Sequence, residues 1–281
     1  MSNNKVRLTV LVENTAGARG TLGEHGLSIL IETASHRVLF DTGQGMALAN
    51  NARCMDVPLD QIDAIVLSHG HYDHTGGLRD AIHVVPHASV YAHPSVFGPK
   101  YARRKNGTVS EIGMADLSED TVRGQVRELV LTSRPMEICD GMYVTGEIPR
   151  TTEFEDTGGS FFIDDECRWP DMLLDDQALY FECARGVVVV VGCAHAGIIN
   201  TLQYINKLTG DKRIHAVIGG MHLVAASDDR VDRTIETLRQ LGIDRLVAGH
   251  CTGLSAVVEL WKAFPNKCSS CKVGTSIEFD M

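Results

Sequence analysis

Residues 66–77 read Val-Leu-Ser-His-Gly-His-Tyr-Asp-His-Thr-Gly-Gly, which puts His69, His71, Asp73 and His74 inside six consecutive positions. An apolar run over residues 62–67 leads straight into them and reads as a buried strand. Imidazole and carboxylate are the ligands of zinc, iron and manganese, and a strand that ends in a tight loop can aim several of them at one point. His69 and His71 are two apart and share a face of extended chain, and the turn brings Asp73 and His74 back across. The loop supplies only half of a metal site, so other elements must complete it.

Three later segments are candidates. The apolar run 187–191 ends in Gly192-Cys193-Ala194-His195, residues 214–218 end in Gly219-Gly220-Met221-His222, and residues 246–248 end in Gly249-His250-Cys251. Each histidine lies just past the C-terminal end of an apolar strand, where α/β sheets place their sites. The glycines let backbone approach closely there.

The remaining pattern builds a frame around these loops. Val6, Leu8, Val10 and Val12 alternate as on a strand, and residues 27–31 and 37–40 read as a strand pair ending at Asp41-Thr42-Gly43. A short helix is expected over 46–55, another from Gly77 capped around Thr75, and strands over 89–92, 128–132, 136–138 and 142–145. Residues 178–183 and 187–191 form a hairpin. Helix faces follow at Ile198, Ile199, Leu202, Ile205 and Leu208, then at Val231, Ile235, Leu238 and Leu241 behind an N-cap at Ser227 or Asp228. A third helix, 254–264, is expected to turn Val257, Val258 and Trp261 inward, before a last strand over 273–279. The acidic stretch 151–176 reads as a long loop. Residues 94–127, with Lys100, Arg103, Arg104 and Lys105 followed by Glu111, Asp116, Glu119 and Asp120, read as a lid-like insertion in a single domain spanning 1–281. Early strands followed by late strand–helix alternation indicate α/β architecture, two mixed sheets face to face with helices outside.

Composition narrows the function. At 281 residues and 44% hydrophobic the chain can bury a large core, and its net charge of −10 argues against general nucleic-acid binding. The longest apolar run, 187–191, is too short to span a membrane, and the first seven residues lack the apolar core of a signal peptide. A soluble cytoplasmic protein is expected; its eight cysteines would permit disulfides, but this is not a small secreted scaffold, so reduced thiols are the expectation. Cys268 and Cys271 have zinc-knuckle or redox spacing, but no further pair follows, and they read as ordinary thiols.

The H-x-H-x-D-H pattern after a strand, the upstream Phe40-Asp41-Thr42-Gly43 and the late Gly249-His250 resemble the metallo-β-lactamase superfamily over essentially the whole chain. Residues 24–28, 192–197, 219–223 and 249–253 resemble one branch of it, metal-dependent hydrolases that include the archaeal dihydropterin–ribofuranosylaminobenzene 5'-phosphate synthases. The resemblance implies an αββα four-layer sandwich with one or two divalent ions between the sheet edges. His69 and His71 with a later histidine would hold one ion; Asp73, His74 and His250 would hold the other. Asp41 would orient a motif histidine. Zinc suits these donors best, and manganese or iron also fit. Most members supply a bridging aspartate from a late strand, and here that strand end reads Gly192-Cys193. His195 ranks first for the position, Cys193 second and Glu147 third. His222 is either a ligand or a substrate contact.

A divalent ion lowers the pKa of its water from ~15.7 to ~7. The first reading is therefore a metal-dependent hydrolase of an ester or phosphoester, with Asp73 orienting the water or taking its proton and His222 stabilising negative charge. Lys100, Arg103 and Arg104 favour a small anionic substrate, and His25 with Glu24 lies at the mouth by the same resemblance. The alternative is a transferase condensing a dihydropterin pyrophosphate with a ribofuranosylaminobenzene phosphate. A further alternative is an iron-dependent oxidoreductase; the flavin-partnered diiron branch differs in having glutamate where His71 stands. No membrane or nucleic-acid partner is expected, and the oligomeric state is open.

Overall fold

The computed structural model describes residues 5–114 and 117–281. Residues 1–4, part of the signal-peptide reading, and Asp116 of the insertion lie outside the described residues. Two seven-stranded sheets form the centre. The first runs Ser276–Asp280, Lys5–Val12, Ser28–Glu32, Arg37–Phe40, Ala64–Val66, Ser89–Ala92, Glu128–Leu131. It is antiparallel through its first four strands and parallel from Arg37–Phe40 onward. The second runs Cys268–Ser270, Arg245–Ala248, Ile214–Gly219, Gly186–Val191, Ala178–Cys183, Met142–Val144, Met136–Cys139, with its first four strands parallel.

The apolar run at 187–191 shows why these layers form. Val188 and Val190 pack with Val10, Ile29, Phe40 and Val66 of the other sheet, whereas Val187, Val189 and Val191 pack with Ile199, Leu202 and Leu238 of the outer helices. A strand covered on both faces needs apolar side chains at every position. Helices Ile198–Leu208, Asp228–Gln240 and Leu254–Ala263 cover this sheet. Leu48, Leu78, Ile82 and Val122, from shorter helices, cover Leu39, Ile65 and Val90 of the first. The result is an αββα sandwich.

Register lines up the site. Val191 pairs with Gly219, and Gly219 with Ala248, so three parallel strands end side by side at one sheet edge. Their three histidine-bearing loops begin there.

Some expectations fall at local detail. Trp261 is 39% exposed and Leu260 takes the inward position, because the helix face that meets the sheet runs through Ala256, Val257, Leu260 and Phe264. Ser227 is the N-cap of its helix, its Oγ accepting from Arg230 N. Thr75 caps nothing: Gly77 precedes helix Leu78–Val84, and the Thr75 hydroxyl bonds the His71 carbonyl. Cys268 lies in a strand, not ahead of one, and no disulfide joins any of the eight cysteines. Within residues 94–127, Tyr101–Arg103 and Val109–Glu111 pair as a hairpin, which Phe161–Phe162 from the acidic stretch extends to three strands. Val96, Leu117 and Val122 anchor the segment in the outer core. Among the described residues no helix is long and apolar enough to cross a membrane.

Candidate metal centre

The motif loop starts where strand Ala64–Val66 ends. Ser68 is held by Asp41, whose Oδ1 accepts from Ser68 N and whose Oδ2 accepts from Ser68 Oγ, both at 2.7 Å. Ser68 Oγ in turn accepts a hydrogen bond from His69 Nδ1 at 2.9 Å, and His74 Nδ1 donates directly to Asp41 Oδ2 at 2.7 Å. One fully buried carboxylate thus fixes the ring orientation of two histidines and leaves both Nε2 atoms turned inward.

Gly70 is squeezed: a Cβ there would lie 2.4 Å from the Val96 carbonyl oxygen. Its N–H donates to Asp175 Oδ2 at 2.8 Å, and Asp175 Oδ1 pairs with Lys100 Nζ at 3.0 Å. Lys100 also reaches Asp171 at 3.1 Å and is only 3% exposed. It is therefore no substrate contact. Its stem lies against Gly70 and two carboxylates neutralise its charge, which removes it from the basic cluster read in the sequence. Burial lowers its pKa, but Asp175 and Asp171 outweigh that and raise it.

The opposite wall is built from sharp reversals. Ala194, His222 and His250 have φ of 50°, 45° and 50°, in the left-handed region. His195 Nδ1 donates to the Thr157 carbonyl at 2.8 Å. His250 N donates to Glu13 Oε1 at 2.6 Å, and its Nδ1 lies 2.9 Å from Asn14 Oδ1, leaving Nε2 facing inward. Ala196 N donates to Asp176 Oδ2 at 2.7 Å. Burial pushes the Asp176 carboxyl up to about 7.

The walls meet in two groups. In the first, the donor atoms of His69, His71 and His195 all lie within 4.8 Å of one another, with His69 Nε2 3.0 Å from His71 Nδ1. In the second, His74 Nε2 and His250 Nε2 are 3.1 Å apart, and Asp73 Oδ2 lies 3.4 Å from His250 Nε2 and 3.7 Å from His74 Nε2. Bonds of ~2.0 Å put neighbouring donors of a tetrahedral zinc site roughly 3.3 Å apart, so these spacings fit a small divalent cation. The buried Nε2 of His195 has no hydrogen-bond partner among the described residues, while its Nδ1 is taken by Thr157, which leaves Nε2 as the ring's available metal donor. Burial, reinforced by the neighbouring rings, pushes His69 and His195 well below the ordinary histidine range, and burial holds His71 down to about 3. Neutral imidazoles are the form a metal takes. For His74 burial acts the same way, but Asp41 and Asp73 overcome it and raise the pKa to about 9. Asp73 lies below the carboxylate range because His74 and His250 outweigh its burial.

The other expected residues divide. Cys193 Sγ is 3.2 Å from His74 Nε2, inside the centre, and the His222 ring lies 4.2 Å from that of His195. His25, about half exposed, puts Nε2 3.3 Å from Asp73 Oδ2 at the mouth. Glu147 is exposed and belongs to neither group, although its strand Met142–Val144 ends at the same sheet edge as the convergent loops. Glu24 is buried and accepts from the backbone N–H groups of Gln44, Gly45, Met46 and Ala47, a structural role. Arg103 is exposed and stacks over Phe162 at 4.9 Å, and Arg104 is exposed near Tyr72. Sequence reasoning missed Ser68, Glu13, Asn14, Asp175, Asp176 and Phe161, whose ring lies 5.2 Å from both His71 and His195. For Glu13-Asn14 there was a signal: two polar residues at the end of an apolar strand, at the same sheet edge as the histidines.

Known proteins resemble the chain along its length. Residues 22–250 match the family model of the metallo-β-lactamase superfamily. A 7,8-dihydropterin-6-methyl-4-(β-D-ribofuranosyl)-aminobenzene-5'-phosphate synthase of Methanocaldococcus jannaschii is 30% identical over 98% of this chain and 97% of its own. An uncharacterized protein of the same organism is 34% identical over 90% of this chain and 93% of its own. A solved structure described as a metal-dependent hydrolase of the β-lactamase superfamily superposes with a TM-score of 0.83 at 29% identity, covering 98% of this chain and 100% of that one. The expectation of a hydrolase acting on an ester or phosphoester is overturned here. A relative matched end to end is a synthase, so a metal-ligand motif shared across the superfamily does not specify hydrolysis. In its fold, its motif loop and its family match, this chain belongs to the metallo-β-lactamase superfamily.

Proposed function

We propose that this protein is a metal-dependent synthase that condenses a dihydropterin pyrophosphate with a ribofuranosylaminobenzene phosphate and releases pyrophosphate. The observation that carries the reading is the full-length match to the M. jannaschii synthase. The bond formed joins the methylene carbon on the pterin to the aminobenzene nitrogen. The bond broken is the carbon–oxygen bond to pyrophosphate, and the nitrogen gives up one proton.

Divalent ions, zinc by donor chemistry, would be held by His69, His71 and His195 and by Asp73, His74 and His250, and would supply positive charge to the departing pyrophosphate. The chain's own groups do the rest. His25, kept below the ordinary histidine pKa by burial, is neutral near pH 7 and can take the proton from the amine. Phe161 excludes water from the His71 and His195 side. A cavity of about 330 Å³ beside His250 carries Trp261, Leu254 and Lys272, an aromatic face and a cation suited to a flat ring with an anionic tail. The larger groove of about 900 Å³ carries Asp228, Asp232 and Glu259, which would repel such a substrate. Eight unpaired cysteines support a cytoplasmic setting.

Incubating metal-loaded protein with both substrates tests the reading. Pyrophosphate release should need both, in step with a condensed product seen by mass spectrometry. Equal release from the pterin substrate alone, without condensed product, would refute it.

A further inference from the structure

Cys193 stands where the superfamily resemblance expects a bridging aspartate, and its surroundings give it more than a filler's role. We propose that Cys193 supplies a thiolate ligand shared between the two halves of the metal centre, with Cys251 positioning it.

Cys193 is 2% exposed, and its Sγ lies 3.2 Å from His74 Nε2. Its sulfur falls within 4.8 Å of donor atoms from both groups: with His69 and His74, with His195 and His222, and with His250 and Cys251. A single atom with such neighbours sits between the two groups. The backbone is shaped to put it there. A Cβ at Gly192 would lie 2.1 Å from Ser68 Oγ and 3.1 Å from Asp41 Oδ2, so only glycine lets this strand end press against the Asp41–Ser68 pair that orients His69 and His74. A Cβ at Gly220 would lie 2.5 Å from Cys251 Sγ, and that sulfur sits 3.7 Å from the Cys193 carbonyl, within sulfur hydrogen-bond reach.

A second observation comes from the neighbouring histidine. His195 is fully buried, and its Nε2 has no hydrogen-bond partner among the described residues although it shares a donor group with Cys193. A buried imidazole nitrogen beside a buried sulfur is the arrangement a soft cation satisfies, at ~2.0 Å to nitrogen and ~2.3 Å to sulfur. A thiolate in place of a carboxylate shifts preference toward zinc, iron(II) or cobalt(II) and away from manganese and magnesium. This inference rests on the family's metal chemistry and not on the synthase reading.

Cobalt(II) loading of the metal-free full chain tests it. The wild type should show near-ultraviolet thiolate-to-cobalt charge-transfer absorption. Cys193→Ser should lose the band and weaken binding of one ion by at least about 10-fold. Cys251→Ser should keep it, shifted, and the remote Cys183→Ser should leave it unchanged. A wild type without the band, a Cys193→Ser protein that retains it in full, or its loss in Cys251→Ser alone would overturn the assignment. Cadmium NMR on the wild type needs no variant: a chemical shift in the thiolate range supports the proposal, and a nitrogen–oxygen shift refutes it. Neither readout depends on turnover, so failure of the synthase assay would leave this result standing.

Discussion

His69, His71, Asp73 and His74 come from one turn with ordinary backbone; His71 has φ −74°. Facing them, Cys193, His195, His222 and His250 come from three strand ends, and Ala194, His222 and His250 sit in the left-handed region. The first wall is locally shaped and braced by buried charge: Asp41 on Ser68 and His74, Lys100–Asp175 on Gly70. The second is shaped by parallel strands that must reverse abruptly at one edge. Each non-glycine residue held there costs of order 1–3 kcal/mol, tolerated because surrounding contacts over-determine it. Those contacts reach in from Glu13, Asn14, Thr157 and Asp176. Removing a brace should therefore cost stability or several ligands at once on the first wall, and misdirect single ligands on the second.

The largest expected effect is on the first wall. Lys100→Met leaves Asp175 and Asp171 facing each other without their cation and should destabilise the protein by about 3–5 kcal/mol, read by denaturant unfolding. The pH dependence has a definite sign. Lys100 has a folded pKa above its ordinary 10.5, so the folded chain holds that proton more tightly than the unfolded chain. The stability it contributes is complete below 10.5 and disappears as pH rises through the raised value. Wild type should lose more stability across that window than Lys100→Met, and parallel losses would break the assignment of Lys100 as the brace.

An intermediate effect compares the two walls at one ion. Asp41→Asn weakens the orientation of His69 and His74 together and should lower metal affinity about 10–100-fold. Asn14→Ala frees only the His250 ring and should cost about 10-fold or less. Chelator competition measures both. A larger loss in Asn14→Ala would mean that the second wall, not the first, sets affinity.

The smallest effect is at the rim. Arg103→Ala gives up a surface cation–π contact with Phe162 and should cost about 0.5–1 kcal/mol of stability with KM unchanged. Arg104→Ala, on the first-wall side near Tyr72, should raise KM for the phosphorylated substrate by about 3-fold, ~0.6 kcal/mol. Equal KM changes in the two variants would mean that they share one role.

From the amino acids alone, the motif loop, the late Gly–His strand ends and the four-layer alternation were legible, because each is a local pattern: contiguous ligands, glycine after an apolar run, period-two and helical spacing. Asp41 and the departure at Cys193 followed from resemblance to a family. Lys100 shows where such reading stops. In sequence it belongs to a basic run; in the fold its ammonium meets Asp171 and Asp175, some seventy residues away. Glu13, Asn14, Asp175 and Asp176 likewise act on segments far from them in the chain, and nothing local marks that pairing. The reaction class lay beyond the motif too, since a histidine–aspartate set suits a divalent cation and does not say which bond is made. The inventory of candidate ligands was thus determined by the sequence, residue by residue. Which charges became braces, and that Cys193 stands between the two groups, was decided only when the two sheets packed and brought their strand ends to one edge.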